Sequence, residues 1–388
     1  MFMFEKAVVG SRRYWAWIGG LFTITLVGFL FYLRQLHVGL GTTGLSRDVT
    51  WGLYIAQFTF LVGVAASAVV VVLPYYLHDW RAFGRITVLG EFLAMAAVVM
   101  CLLFVLVDMG QPMRVLNVLL YPTLNSIMFW DMIALGGYLV LNAVIALVTL
   151  RAERTGVAPP GCIWPVIILS MPWAVSIHTV TAFLYSGLPG RSYWLTALLA
   201  PRFLASAFAS GPALLILLTM VVRRLTRFDP GREAVQKLAL IVAYSLIISV
   251  FFAMVEAFTV FYSQIPEHMA HYEFLFLGLQ GHAPLAVWMW ASVVLAVASL
   301  LLLVTPRSRR SEGTLAVACV MVFLSLWIDK GLGLVVGGFV PSPLGHVTSY
   351  APTMPEMSIT LGIWAVGFLI ITVLYKIALA VREELAGV

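Results

Sequence analysis

The sequence predicts an all-α membrane protein of ten transmembrane helices, arranged as two four-helix bundles with two peripheral helices. Three observations predict it. Of the 388 residues, 62% are hydrophobic and 10% charged, far from the roughly 45–50% apolar and 25% charged of soluble domains. Ten apolar runs each reach the about 20 residues that a helix needs to cross the hydrocarbon. None alternates with the two-residue period of a barrel strand, and an open sheet would leave backbone groups unpaired in lipid.

The runs fall near 14–36, 51–77, 86–108, 126–150, 163–186, 202–222, 238–263, 284–304, 315–337 and 357–380. The first is followed directly by others and lacks a small-residue cleavage site, so it reads as an uncleaved helix. Helices 2 to 5 (about 51–186) form the first expected bundle and helices 6 to 9 (about 202–337) the second, with helices 1 and 10 outside. A weak internal repeat supports the division. FLVGVAASA (Phe60 to Ala68) precedes RAFGR (Arg81 to Arg85), and FLASAFASGPA (Phe203 to Ala213) precedes RFDPGR (Arg227 to Arg232). Gly63 with Ser67, and Ser206 with Ser210, have the small-xxx-small spacing that permits close helix approach.

Orientation follows from the cations. Of the 23 lysines and arginines, seventeen lie at the termini and in the even connections, and five (Arg34, Arg47, Arg114, Arg191, Arg202) in the odd ones. The last, Lys330, is inside helix 9. The positive-inside rule then predicts that both termini are cytoplasmic. The pI near 9.3 is thus a topology signal, and no nucleic-acid partner is implied. The odd connections are the longer ones, notably Gln264 to Ala283 and Gly338 to Glu356, which suits a docking surface on the outer face.

An ionisable group deep in a bilayer costs about 2.5–3.5 kcal/mol on insertion scales, so each one asks for a partner or a task. Asp108 closes helix 3 and Asp131 lies early in helix 4, both on the outer side. His178 and Glu256 fall in the outer halves of helices 5 and 7. Tyr54 and Gln57 open helix 2, one turn apart. Around His178, the helical neighbours Ala174, Thr181, Ala182 and Tyr185 make a small and polar stripe. Ser249, Ala253, Thr259 and Ser263 do the same around Glu256. Both residues should therefore face the interior, as structural hydrogen bonders or as functional groups. Asp131 and His178, on consecutive antiparallel helices, are expected to approach each other and share a proton. Asp329 and Lys330 are adjacent on helix 9 and cannot pair with each other, so each needs a partner on another helix; Glu256 is the expected partner of Lys330. Glu91, near the inner end of helix 3, could start a proton route through Glu256, Asp329 and Lys330, or be a snorkelling acid.

Resident cofactors find little to hold them. Only His178 of the seven histidines is well inside a span, so no bis-histidine haem site is available. Cys101, Cys162 and Cys319 are far apart and form no CxxC, so no iron–sulfur cluster or metal is expected and they read as packing residues. No nucleotide-binding glycine fingerprint suggests a flavin.

WGLYIAQFTFLVGVAAS (Trp51 to Ser67), DMGQPMR (Asp108 to Arg114) and SIMFWD (Ser126 to Asp131) resemble the NrfD-type, polysulfide reductase-like membrane subunits of prokaryotic respiratory complexes. The ten helices and the start KAVVGSRRYW (Lys6 to Trp15) are most similar to the DsrP-type branch, which accompanies sulfite reduction. The sequence departs from the family's D-x-G-R-P pattern at Gln111, where many members carry arginine. The resemblance implies a subunit of the bacterial or archaeal cytoplasmic membrane that exchanges electrons between menaquinone or menaquinol and a ferredoxin-like iron–sulfur subunit on the outer face, with a c-type cytochrome and other membrane redox subunits in the same complex. It also implies a quinone pocket in the first bundle. There Asp131 and His178 match the reactive lining, with Tyr54, Gln57, Asp108 and Arg114 around it. A carboxylate with an imidazole suits proton exchange at a quinone carbonyl. The alternative is a secondary transporter or a proton-conducting subunit without quinone chemistry, for which broken helices would be the sign; Pro212 in helix 6 hints at one kink.

Overall fold

The computed structural model describes residues 5–78, 80–226 and 228–385. Arg227, one of the cations counted for orientation, lies outside them. Among the described residues, ten helices are long and apolar enough to cross a membrane, each over an expected run: α1 Arg12–Val38, α2 Leu53–Tyr76, α3 Thr87–Asp108, α4 Ile127–Thr155, α5 Ile163–Ser186, α6 Leu199–Leu225, α7 Arg232–Ser263, α8 Ala286–Val304, α9 Glu312–Phe339 and α10 Met354–Arg382. An even number puts both termini on one face, here the terminal face. The α1–α2, α3–α4, α5–α6, α7–α8 and α9–α10 connections lie on the other, the loop face.

Within α2–α5 each helix packs on the next, and the same holds within α6–α9; α2 contacts α6 and α9, and α5 contacts α6. Burial does not track apolar character, because lipid accepts apolar side chains as readily as the interior does. α2 is apolar on every side and is buried along its length, whereas α1 turns most of its surface outward. α10 packs on α1, where Gly28 and Gly362 meet so closely that a Cβ on Gly28 would stand 2.8 Å from the Gly362 Cα. On its other side α10 packs on α3. There the Tyr375 hydroxyl donates to the Leu89 carbonyl at 2.8 Å, and the Trp364 indole donates to Gln57 at 3.0 Å. Aromatic N–H and O–H groups buried in an apolar span need such acceptors.

Two helices are interrupted. α2 breaks at Ala66 into Leu53–Ala65 and Ser67–Leu77, and α9 passes through a π-helical segment, Trp327–Gly333. The connection expected over Gln264 to Ala283 contains a helix, Pro266–Phe276, with proline in its first turn, where a missing N–H costs nothing.

The small residues singled out in α2 and α6 meet where these helices cross. A Cβ on Gly63 would lie 3.2 Å from Ser210 Oγ. A Cβ on Gly211 would lie 2.9 Å from the Ser67 backbone nitrogen and 3.2 Å from the Val64 carbonyl oxygen. Backbone cannot rotate away, so Gly211→Ala is expected to cost about 1–3 kcal/mol through overpacking. Thermal unfolding in detergent should show a lower transition temperature for this variant and little change for Gly136→Ala, whose Cβ would meet nothing within 4 Å.

Candidate functional site

The stripe on α5 faces inward as expected: Ala174, His178, Thr181, Ala182 and Tyr185 are all fully buried. Asp131 of α4 is buried beside them, but its partner is Thr181, whose hydroxyl lies 2.7 Å from Asp131 Oδ1. The expected contact between Asp131 and His178 is not made. Depth is the reason. Asp131 sits four residues from the loop-face end of α4 and Thr181 five from that of α5, about 6 and 7.5 Å in, whereas His178 is about 12 Å in. The Thr181 hydroxyl is also 2.8 Å from the Ile177 carbonyl. Its single proton can serve only one acceptor at a time.

His178 is left alone. Both ring nitrogens are buried and have no hydrogen-bond partner, a situation that costs about 1–3 kcal/mol when nothing else fills it. Nearer the loop face, Tyr185 shares a hydrogen bond with Thr59 of α2, and its ring packs edge-on against Trp51 and Trp194.

Tyr54 and Gln57 are buried at the loop-face end of α2 but serve different neighbours. The Tyr54 hydroxyl donates to Gln35 Oε1 of α1 at 2.8 Å, and Gln35 donates in turn to the Val107 carbonyl of α3 at 2.6 Å. Gln57 Oε1 accepts from the indoles of Trp327 on α9 and Trp364 on α10, both at 3.0 Å. Gln57 thereby ties three helices together. Asp108 ends α3 with one carboxylate oxygen buried and unpartnered. Arg114 is exposed in the following connection, among the outward-facing Met113, Leu120 and Tyr121.

The four residues of the expected proton route are not contiguous. Glu256 of α7 and Asp329 of α9 are both held by Arg202 of α6, Asp329 through two bonds of 2.8 and 2.9 Å from Nη2 and Glu256 through Nη1. Arg202, counted as a loop cation, is in fact buried within α6, and Glu256 is not the partner of Lys330. A guanidinium presents several donors in a fixed fork, which suits bridging two carboxylates better than an ammonium does. The Lys330 ammonium instead lies 4.1 Å from the Phe203 ring centroid and 3.4 Å from its carbonyl oxygen, near the Gly63–Ser210 crossing. Glu91 is remote from these groups, four residues from the terminal-face end of α3, fully buried and with both carboxylate oxygens unpartnered.

On the loop face a second polar set anchors the connections. His271 is buried, with Nδ1 2.8 Å from the Gly337 carbonyl and 2.9 Å from that of Val340, and Nε2 3.1 Å from the Ser192 hydroxyl. Burial pulls its pKa down while the two carbonyls pull it up, with burial the larger effect. The neutral ring then carries its proton on Nδ1 and accepts from Ser192. Glu356 accepts from the Gly44 and Thr353 amides at 2.7 and 3.0 Å and from the Tyr350 hydroxyl at 2.8 Å. Sequence reasoning passed over this residue as the end of a loop. A buried acid just inside a helix start, three residues after Thr353, was the capping signal to be found.

Among the described residues, no three His, Cys, Asp or Glu side chains stand close enough to hold a metal ion. Cys101 and Cys319 are buried, as packing residues should be, but Cys162 is exposed at the start of α5.

Ten apolar spans define a multi-pass integral membrane protein with buried, partly unsatisfied polar groups among them. The chain belongs to the polysulphide reductase NrfD family, whose pattern it matches over residues 41–337. It is 26% identical to a protein of Halobacterium salinarum provisionally named as a membrane subunit of dimethyl sulfoxide reductase, over 92% of this chain and 89% of that one. It is 23% identical to an Hdr-like menaquinol oxidoreductase integral membrane subunit of Archaeoglobus fulgidus, over 98% and 97% of the two chains. With a selenate reductase subunit of Mesobacillus selenatarsenatis it shares 28% identity over about half of each, 50% and 54%.

Proposed function

We infer that the chain is the quinone-interacting membrane subunit of a respiratory redox complex, with its reactive site in the loop-face half of α4 and α5. The observation that carries this is His178: a buried imidazole with two free nitrogens, one turn below the Asp131–Thr181 hydrogen bond. A quinone suits such a place chemically, because its carbonyl or hydroxyl oxygens can satisfy the imidazole. Oxidising a quinol releases two electrons and two protons. Asp131 accepts one proton, with Thr181 orienting its carboxylate, and His178, which holds a quinol oxygen, accepts the other. Electrons then leave toward the loop face.

The relatives' names support the setting, since one is a menaquinol oxidoreductase subunit and the others are reductase subunits. We therefore assign menaquinone or menaquinol as the substrate. A ferredoxin-like iron–sulfur subunit is the electron partner on the loop face, and a c-type cytochrome with other membrane redox subunits completes the complex. The start KAVVGSRRYW favours the DsrP-type branch and sulfur-compound respiration. In this reading α2–α5 form the unit that carries the site, and the complex lies in a prokaryotic cytoplasmic membrane with both termini cytoplasmic.

Two measurements test the reading. The intact complex, purified in mild detergent, should carry extractable menaquinone in near-stoichiometric amount. A quinone-free complex would instead favour a proton-conducting or transport role, for which the breaks in α2 and α9 are the structural argument. Single cysteines at Ser308 and at Leu344, which is exposed in the α9–α10 connection, in an otherwise cysteine-free chain, should react with membrane-impermeant thiol reagents from the cytoplasm and from outside respectively. The reverse pattern would put the quinone site on the cytoplasmic side.

A further inference from the structure

A cavity of about 500 Å³ opens on the terminal face among α2, α3, α4 and α5, at the opposite end of these helices from His178 and Asp131. Its walls include Tyr76, Thr87, Thr149, Glu153 and Trp164. At ~30 Å³ for each water, it has room for on the order of fifteen. The α3 residues that line it, Thr87 and Val88, lie directly below Glu91, which stands one turn further in on the face of Thr87.

Glu91 is the most isolated acid in the described structure: it is fully buried, and neither carboxylate oxygen has a hydrogen-bond partner. A buried carboxylate in that state cannot stay charged without a partner, so it holds its proton. The titratable groups around it are Tyr76 on α2, Tyr138 and Glu153 on α4, and Arg382 on α10. Glu153 is itself engaged. Arg382 donates to its two oxygens at 3.1 and 2.9 Å and also to the Arg85 carbonyl, so that the end of α10 clasps the end of α4 beside the cavity mouth.

We propose that this cavity is a water-filled proton intake from the terminal face to Glu91, and that the Glu153–Arg382 clasp restricts its mouth. The step is a simple exchange. A proton passes from a cavity water to a Glu91 oxygen while the acid's own proton passes back to a neighbouring cavity water, and no electron moves. The cluster of Arg202, Glu256, Asp329 and Lys330 takes no part in it, because both of its acids are locked in ion pairs with Arg202. The proposal does not depend on the quinone assignment, and its readout is independent of turnover.

The test uses the full chain reconstituted in lipid vesicles. Infrared spectroscopy should show the C=O stretch of a protonated carboxylic acid that is absent in Glu91→Gln, and transfer into D2O should shift that band as the proton exchanges. In an otherwise cysteine-free chain, Thr149→Cys should react with a bulky charged thiol reagent added on the terminal side. Labelling after folding then plugs the cavity without disturbing assembly, and exchange at Glu91 should slow at least tenfold. Arg382→Gln should speed it several-fold. Absence of the Glu91 band, failure of Thr149→Cys to label from that side, or an exchange rate unchanged by the plug would each overturn the proposal.

Discussion

Asp131→Asn is expected to lower quinol oxidation by about 10²–10⁴-fold, the range over which a positioned general base acts, while the complex still assembles. Asparagine keeps the shape of the side chain, and its amide oxygen can still accept from the Thr181 hydroxyl, so the α4–α5 contact survives. What it loses is the capacity to take up a proton. Thr181→Val separates orientation from chemistry. It removes the 2.7 Å bond but leaves the carboxylate, so turnover should fall by a smaller factor than in Asp131→Asn. His178→Ala should weaken quinone retention in the purified complex, because the two buried ring nitrogens are what a quinone oxygen would bind. Wild-type turnover in both Asp131→Asn and His178→Ala, with quinone still bound, would move the site to Asp108 and Arg114 at the end of α3.

The largest loss of stability is expected from Arg202→Leu. Its guanidinium is the ion-pair partner of both Glu256 and Asp329, and removing one partner of a buried pair typically costs about 3–5 kcal/mol because the remaining charge is stranded. Here two carboxylates are stranded at once. The variant should accumulate poorly in membranes and unfold at a markedly lower temperature. Arg202→Lys should recover only part, since one ammonium nitrogen cannot stand at once where Nη1 meets Glu256 and where Nη2 meets Asp329. Neutralising the stranded acids in the triple variant Arg202→Leu, Glu256→Gln, Asp329→Asn should restore much of the melting temperature, the non-additivity expected of one coupled network. A melting temperature unchanged in Arg202→Leu would mean that the cluster contributes nothing to the fold.

The inward face of α5 is legible in residue spacing alone, because side chains three and four positions apart must share a direction whatever the helix packs against. The choice of Thr181 over His178 as the partner of Asp131 is not. It depends on the relative depth of two helices, which the length of the connection between them sets only loosely. Arg202 shows the same limit in another form. Its position at the edge of an apolar run makes it look like a loop cation, and only the approach of α7 and α9 makes burying it favourable. Glu91 stands out as an oddity in the sequence, but the cavity beneath it is made by four helices and belongs to none of them.

The sequence by itself determined the ten spans, and with them the fold class. A bilayer offers no partner to backbone N–H and C=O groups, so each crossing segment must satisfy its own by forming a helix of sufficient length and apolarity. That condition is local and can be read one run at a time. Which polar groups meet was decided by the tertiary structure alone. Lipid is as apolar as the helix surfaces, so rotation and depth are settled by close packing of small residues and by the need of each buried donor or charge for a partner. That is why the crossing at Gly63 and Gly211, the ion pairs of Arg202, and the unpartnered states of His178 and Glu91 come into view only once the helices are assembled.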